Sequence, residues 1–104
     1  MSSSLSLVWT DEARDRLWEI EEFIARDSAE RAARFIDTLI EHTEVTLPSN
    51  PQAGRIVPET DNPAIRELVF KGYRIIYHLN EDRIAVLSVF EGHRLLRESD
   101  IIAR

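Results

Sequence analysis

The stretch from Ile65 to Arg97, I-R-E-L-V-F-K-G-Y-R-I-I-Y-H-L-N-E-D-R-I-A-V-L-S-V-F-E-G-H-R-L-L-R, decides the fold. Three runs rich in β-branched and aromatic residues are separated by two turn signals, Lys71-Gly72 and Asn80-Glu81-Asp82, which predicts a three-stranded antiparallel meander. With Lys71-Gly72 as a two-residue loop, Phe70 faces Tyr73, and the period of two sorts the side chains onto two faces. One face carries Leu68, Phe70, Tyr73, Ile75, Tyr77 and Leu79, continued by Ile84, Val86 and Phe90; this is the expected core face. The other carries Glu67, Val69, Arg74, Ile76 and His78, continued by Ala85, Leu87 and Val89. Charges are costly to bury unpaired, so this second face is expected to be partly open, and its apolar members suit a surface that a partner covers.

Upstream of the meander the period changes from 2 to about 3.6. Leu5 to Trp9 alternates with serine and reads as a first strand. Thr10 followed by Asp11 and Glu12 is a helix start, with the threonine as N-cap and two acids where the helix dipole favours them. Ala13, Leu17, Ile20 and Ile24 then fall on one face, which Trp18 and Phe23 are expected to widen. Ser28 can cap a second helix whose apolar positions Ala32, Ile36, Leu39, Ile40 and Leu47 run to Pro48, giving an αα-hairpin. The connection from about Pro48 to Ala64 holds four prolines and a glycine, and a link of that length is functional or mobile more often than a short one. Past Gly92 the apolar residues Leu95, Leu96, Ile101 and Ile102 need a partner, internal or external. The expected architecture is an α+β domain over residues 1–104, β-α-α-β-β-β, with the αα-hairpin packed on a twisted antiparallel sheet.

Composition narrows the function classes. The 104 residues are 43% hydrophobic and 31% charged, enough for one core without staples. The chain has no cysteine, which removes disulfides, zinc–thiolate clusters and thiol nucleophiles. The leading M-S-S-S-L-S-L-V has no basic n-region and no apolar run is long, so neither a secretion signal nor a membrane span is expected, and the cytoplasm is the expected compartment. The net charge of −6 is uneven. From Asp11 to Leu47 eleven acids stand against five arginines, a net of −6; from Ile65 to Arg97 six basic residues stand against four acids, a net of +2. With one lysine in all, the chain lacks the footprint of a protein that binds nucleic-acid backbone broadly, and sequence-specific DNA binding by this chain alone is not expected. Acids such as Glu19, Glu21 and Glu22 read as a solvated helix face, not as metal ligands; no metal or cofactor is expected. Trp9, Trp18, Tyr73 and Tyr77, at helix and strand spacings, read as core.

Several segments together carry a family resemblance. W-T-x-x-A-x-x-x-L-x-x-I-x-x-F-I-A (Trp9 to Ala25), L-P-S-N-P-Q-A-G-R (Leu47 to Arg55), I-R-E-L (Ile65 to Leu68), Y-R-I-I-Y (Tyr73 to Tyr77) and V-F-E-G-H-R (Val89 to Arg94) resemble, in order, the RelE/ParE toxin superfamily of type II toxin-antitoxin modules. The resemblance implies a small α+β toxin neutralised by a cognate antitoxin that wraps it. It also implies one of two activities. RelE-like members are similar to ribosome-dependent endoribonucleases acting on messenger RNA. ParE-like members are similar to non-enzymatic poisons of DNA gyrase.

For the nuclease alternative, Arg74 matches the family's strand arginine and Arg94 a second arginine, a pair able to clamp a phosphate. His78 and His93 are the nearby groups suited to proton transfer near neutral pH. No tyrosine follows Arg94, Asp100 standing near its place, and the lysine-rich strand of the nucleases is not matched. Together with the acidic total and the form of I-R-E-L, this points to the ParE-like branch. There the expected target-binding residues are Arg74, Arg94 and Arg97, and the expected antitoxin-binding residues are Val69, Ile76, Leu87, Leu95 and Leu96. A fold-supporting Arg74, and a non-toxic interaction module of the same fold, are the plainer alternatives.

Overall fold

A computed structural model of the chain describes residues 5–92. Its elements run β1 (Ser6–Trp9), α1 (Asp11–Ala25), α2 (Ala29–Ser49), β2 (Arg55–Ile56), β3 (Ile65–Phe70), β4 (Tyr73–Leu79) and β5 (Arg83–Glu91). The α+β class and the succession of helices and strands are those expected. Two details differ: a two-residue β2 joins the sheet, and β1 pairs with β5 in parallel, so the sheet is mixed, in the order β1-β5-β4-β3-β2.

Local chemistry sets the boundaries. Thr10 Oγ1 accepts the Ala13 N–H at 3.1 Å, and its hydroxyl donates to the Val86 carbonyl at 2.9 Å, so one side chain caps α1 and ties it to β5. Ser28 Oγ accepts the Arg31 N–H and starts α2. Lys71 and Gly72 both have positive φ, 47° and 85°, as a two-residue I′ hairpin turn requires, and Phe70 pairs with Tyr73 as expected. Asn80 Oδ1 accepts from the N–H groups of Asp82 and Arg83, fixing the second turn.

The main core lies between the helical hairpin and one sheet face. Ala13, Leu17, Ile36, Leu39 and Leu47 meet Leu68, Ile75, Tyr77, Ile84, Val86 and Val89 there, with Phe70, Tyr73 and Leu79 packed against them. Trp18 and Phe23 do not widen this stripe; they are 67% and 62% exposed. At 3.6 residues per turn, the stripe through Ala13, Leu17, Ile20 and Ile24 leaves Trp18 about 130° and Phe23 about 90° from its centre.

The second face is not open. Val57, Ile65, Ile76, Leu87 and Phe90 form a second buried cluster, and Glu67 and Arg74 are buried beside it. The cover is the chain's own long connection. Arg55 and Ile56 pair with Glu67 and Arg66, and Val57, fully buried, donates its N–H to the Ile65 carbonyl at 3.1 Å. Val89 and Phe90 exchange the faces expected of them. Ile76 pairs with Ser88 and Tyr77 with Val86, so Leu87 is an extra residue, and the β-bulge it makes shifts the alternation by one.

Candidate functional site

A polar cluster sits under this connection, residues 50–64, which lies across the second sheet face as a strap. Glu67 on β3 and Arg74 on β4 are diagonal neighbours, since Val69 is the residue that pairs with Arg74. Arg74 Nε donates to Glu67 Oε1 at 2.6 Å. Its two terminal nitrogens donate to the two oxygens of Glu59, on the strap, at 2.9 and 2.8 Å. Glu67 Oε2 accepts from Arg55 Nε, at the start of the strap. The Glu67 side chain is completely buried and that of Arg74 nearly so, whereas Arg55 is exposed. The hydrogen bonds that Arg74 donates to Glu59 lead the causes that raise its pKa above the ordinary value, outweighing the opposing effect of burial. Two arginines and two carboxylates sum to zero charge, so these four groups carry no surplus for a phosphate.

A second latch fixes the strap from the other side of the sheet. Tyr77 Oη donates to the Pro51 carbonyl at 2.6 Å and accepts the Gly54 N–H at 3.1 Å, and Arg66 Nη1 donates to the Gly54 carbonyl at 2.8 Å. Gly54 must be glycine: a Cβ there would lie 2.4 Å from the Glu67 carbonyl oxygen and 2.7 Å from Tyr77 Oη. Burial pushes the Tyr77 phenol above its ordinary pKa. Within N-P-Q-A-G-R, Pro51, Gly54 and Arg55 thus tie the strap to β3 and β4.

The expected site residues fare differently. Arg74, expected on an open face, is buried and held by carboxylates. His78 lies on the same strand four residues on, about 13 Å away at ordinary strand rise, and is not brought to Arg74. Ile76 and Leu87, expected to face an antitoxin, are inside the second cluster. Val69 is exposed, on a part of β3 beyond its short pairing with β2. His93, Arg94, Leu95, Leu96 and Arg97 lie outside the described residues. The residues missed are Glu59 and Arg55, which sequence spacing does not place near Arg74. Among the described residues no group of three or more His, Cys, Asp or Glu could hold a metal ion, and no helix is long and apolar enough to cross a membrane.

The family model described as the ParE toxin of the type II toxin-antitoxin system, parDE, matches residues 7–96. The chain belongs to the ParE toxin family. No curated protein matches it. Among solved structures, the chromosomal ParDE system from P. aeruginosa superposes with a TM-score of 0.71 at 20% identity, covering 85% of this chain and 96% of that one. The RelBE2 toxin-antitoxin complex from Mycobacterium tuberculosis does so with a TM-score of 0.67 at 15% identity, covering 88% and 94%. At these identities the two structures speak for the fold, a ParE/RelE sheet with two helices packed on it. The ParE match, which spans nearly the whole chain, carries the family and with it the class of type II toxin.

Proposed function

We propose that this ParE-family chain is a non-enzymatic inhibitor of DNA gyrase, held inactive in the cytoplasm by a cognate antitoxin. The observation that carries the reading is the state of Arg74. A ribonuclease needs a cation free to meet the charge that develops on a phosphate, and this arginine already donates to Glu59 and Glu67. The acidic total and the single lysine further disfavour close approach to ribosomal RNA. On this reading Arg74 holds the strap, and target contact falls to Arg94 and Arg97.

Val69 supports the antitoxin part of the proposal. It is exposed on β3, whose pairing with β2 stops at Glu67, and such an edge accepts an added strand from a partner. That both fold relatives are named as toxin-antitoxin systems points the same way. The test in cells is induction of the chain alone and with the neighbouring small gene. The expected result is growth arrest with broken plasmid DNA and intact messenger, relieved by the neighbour. Growth arrest with in-frame cuts in messenger would replace the reading by the endoribonuclease.

A further inference from the structure

We propose that the outward stripe of α1 centred on Trp18 is a docking surface for a basic helix of a partner protein, whose arginines stack on the indole and pair with Glu21 and Glu22. The proposal depends on neither target named above. Trp18 is 67% exposed, and a tryptophan left this open by the core is the residue type that most often anchors a contact with another molecule. Beside it runs an open cleft of about 330 Å³ lined by Trp18, Glu21, Glu22 and Ala25. These positions stand at i, i+3, i+4 and i+7, so they share one side of the helix. Helical side chains lean back toward the preceding turn, which carries both carboxylates toward the indole, and the small Ala25 leaves room at the far end.

What the cleft lacks is a cation. On the other flank of α1, Arg16 pairs with Glu12 and Glu19, and Arg26 lies over the Phe23 ring at 5.5 Å. Among the described residues Glu21 and Glu22 have no ion-pair partner. Nor does any described cation lie over Trp18, although indole is the aromatic ring that holds a cation best. At about 100° per residue, Asp11, Arg14, Asp15, Glu21, Glu22 and Ala25 fall within about 60° of Trp18. Four acids against one arginine give the stripe a net of −3. That charge repels nucleic acid and a second copy of the same stripe alike, and attracts a basic partner. The acids stand on both sides of Trp18, from Asp11 to Glu22, over about 16 Å at helical rise. An arginine-bearing helix laid along α1 meets acids at both ends of that span and the indole at its centre.

The test uses the full chain, isotope-labelled for NMR, and as probe a capped helical peptide of Leu-Ala-Ala-Arg repeats. The chain has two tryptophans, and the Trp9 indole N–H, which donates to Glu44 at 2.9 Å, is the internal reference. The Trp18 indole signal is expected to shift and saturate as peptide is added, while that of Trp9 stays. By calorimetry, Glu21→Gln with Glu22→Gln is expected to weaken binding about tenfold or more, as charge-assisted bonds to arginine are lost, and Trp18→Ala to weaken it as far. Glu30→Gln with Asp37→Asn removes two exposed acids from α2 and should leave binding within about twofold, since screening confines the effect to nearby charges. Equal movement of both indoles, a titration that does not saturate, a citrulline-for-arginine peptide that binds as tightly, or an equal loss in the α2 variant would each overturn the proposal. A Trp18 signal that shifts with toxin concentration in the absence of peptide would overturn it in favour of a second copy as the occupant.

Discussion

Arg74 grips both oxygens of Glu59 with its terminal nitrogens, at 2.9 and 2.8 Å, while its Nε holds Glu67 at 2.6 Å. A strand arginine of this kind could face solvent and a phosphate; here it faces inward and staples a loop to the sheet. The consequence for stability is asymmetric. Arg74→Ala leaves the buried Glu67 with the exposed Arg55 as its one remaining charged partner among the described residues, and the expected loss is about 3–5 kcal/mol. Glu59→Ala, at a side chain 21% exposed, is expected to cost less, about 1–2 kcal/mol. Urea denaturation of the three proteins side by side gives both numbers. A loss in Arg74→Ala no larger than that in Glu59→Ala would show that the cluster is not buried as described.

Replacing the pair instead of breaking it is expected to recover much of that loss. Glu67→Leu combined with Arg74→Met removes both buried charges and fills similar volume, and such replacements are often neutral. A double variant as unstable as Arg74→Ala would show that hydrogen bonding by the cluster outweighs the cost of burying its charges.

The strap should be equally sensitive at its glycine. Gly54→Ala pushes a methyl against the Glu67 carbonyl, which is backbone and cannot move aside, and the expected cost is about 1–3 kcal/mol. Tyr77→Phe removes the group that pairs Pro51 and Gly54 and is expected to cost about 1–3 kcal/mol. Because both act on one contact, the double variant should lose less than the sum. Hydrogen exchange at Gly54, whose N–H bonds to Tyr77 Oη, reads the same event locally.

The alkaline limb of stability follows from the two tyrosines. Burial raises both Tyr73 and Tyr77 above the ordinary value of 10.0, and Glu91 adds to the shift at Tyr73. The folded state therefore holds these protons more tightly than the unfolded chain. Their contribution is fully present below about pH 10 and is lost as pH rises through the raised folded values. Stability should fall above pH 10, less steeply in Tyr77→Phe. Ultraviolet absorbance should show both phenols ionising late; a tyrosine titrating at its ordinary pH would contradict the packing.

Thr10 offers a check on the helix–sheet junction. Thr10→Ala removes the α1 cap and the bond to the Val86 carbonyl together, and about 1–2 kcal/mol should be lost. Thr10→Ser keeps the hydroxyl and should retain most of it. Serine and alanine behaving alike would mean that the threonine methyl, not the hydroxyl, matters.

Much of this was legible in the residues. The switch from helical to strand period, the Thr10 and Ser28 caps and the Lys71-Gly72 turn each rest on interactions within a few positions, where local chemistry decides. What was not legible came from longer range. Leu87 forms a bulge where β5 meets both β4 and the Thr10 hydroxyl, and nothing in I-A-V-L-S-V-F announces it. The strap made the other difference. Arg74 and Ile76 sit on the face that alternation assigns them, yet Val57 and Glu59 cover that face, and a loop so rich in proline gives no periodic signal of where it lies. Glu67 beside Arg74 could have been found: a two-residue turn at Lys71-Gly72 makes them diagonal neighbours. Residues 93–104 fall outside the described part, so Arg94 and Arg97 are named for function on sequence alone.

On the proposed function the chain binds gyrase and does not cut RNA. The decisive assay follows relaxed plasmid incubated with gyrase, ATP and the purified toxin. A gyrase inhibitor should give lost supercoiling and accumulated gyrase-cleaved DNA, weakened when Arg94 and Arg97 are replaced by alanine and abolished by the cognate antitoxin. Supercoiling that proceeds untouched, while the same preparation cuts messenger on programmed ribosomes, would contradict it.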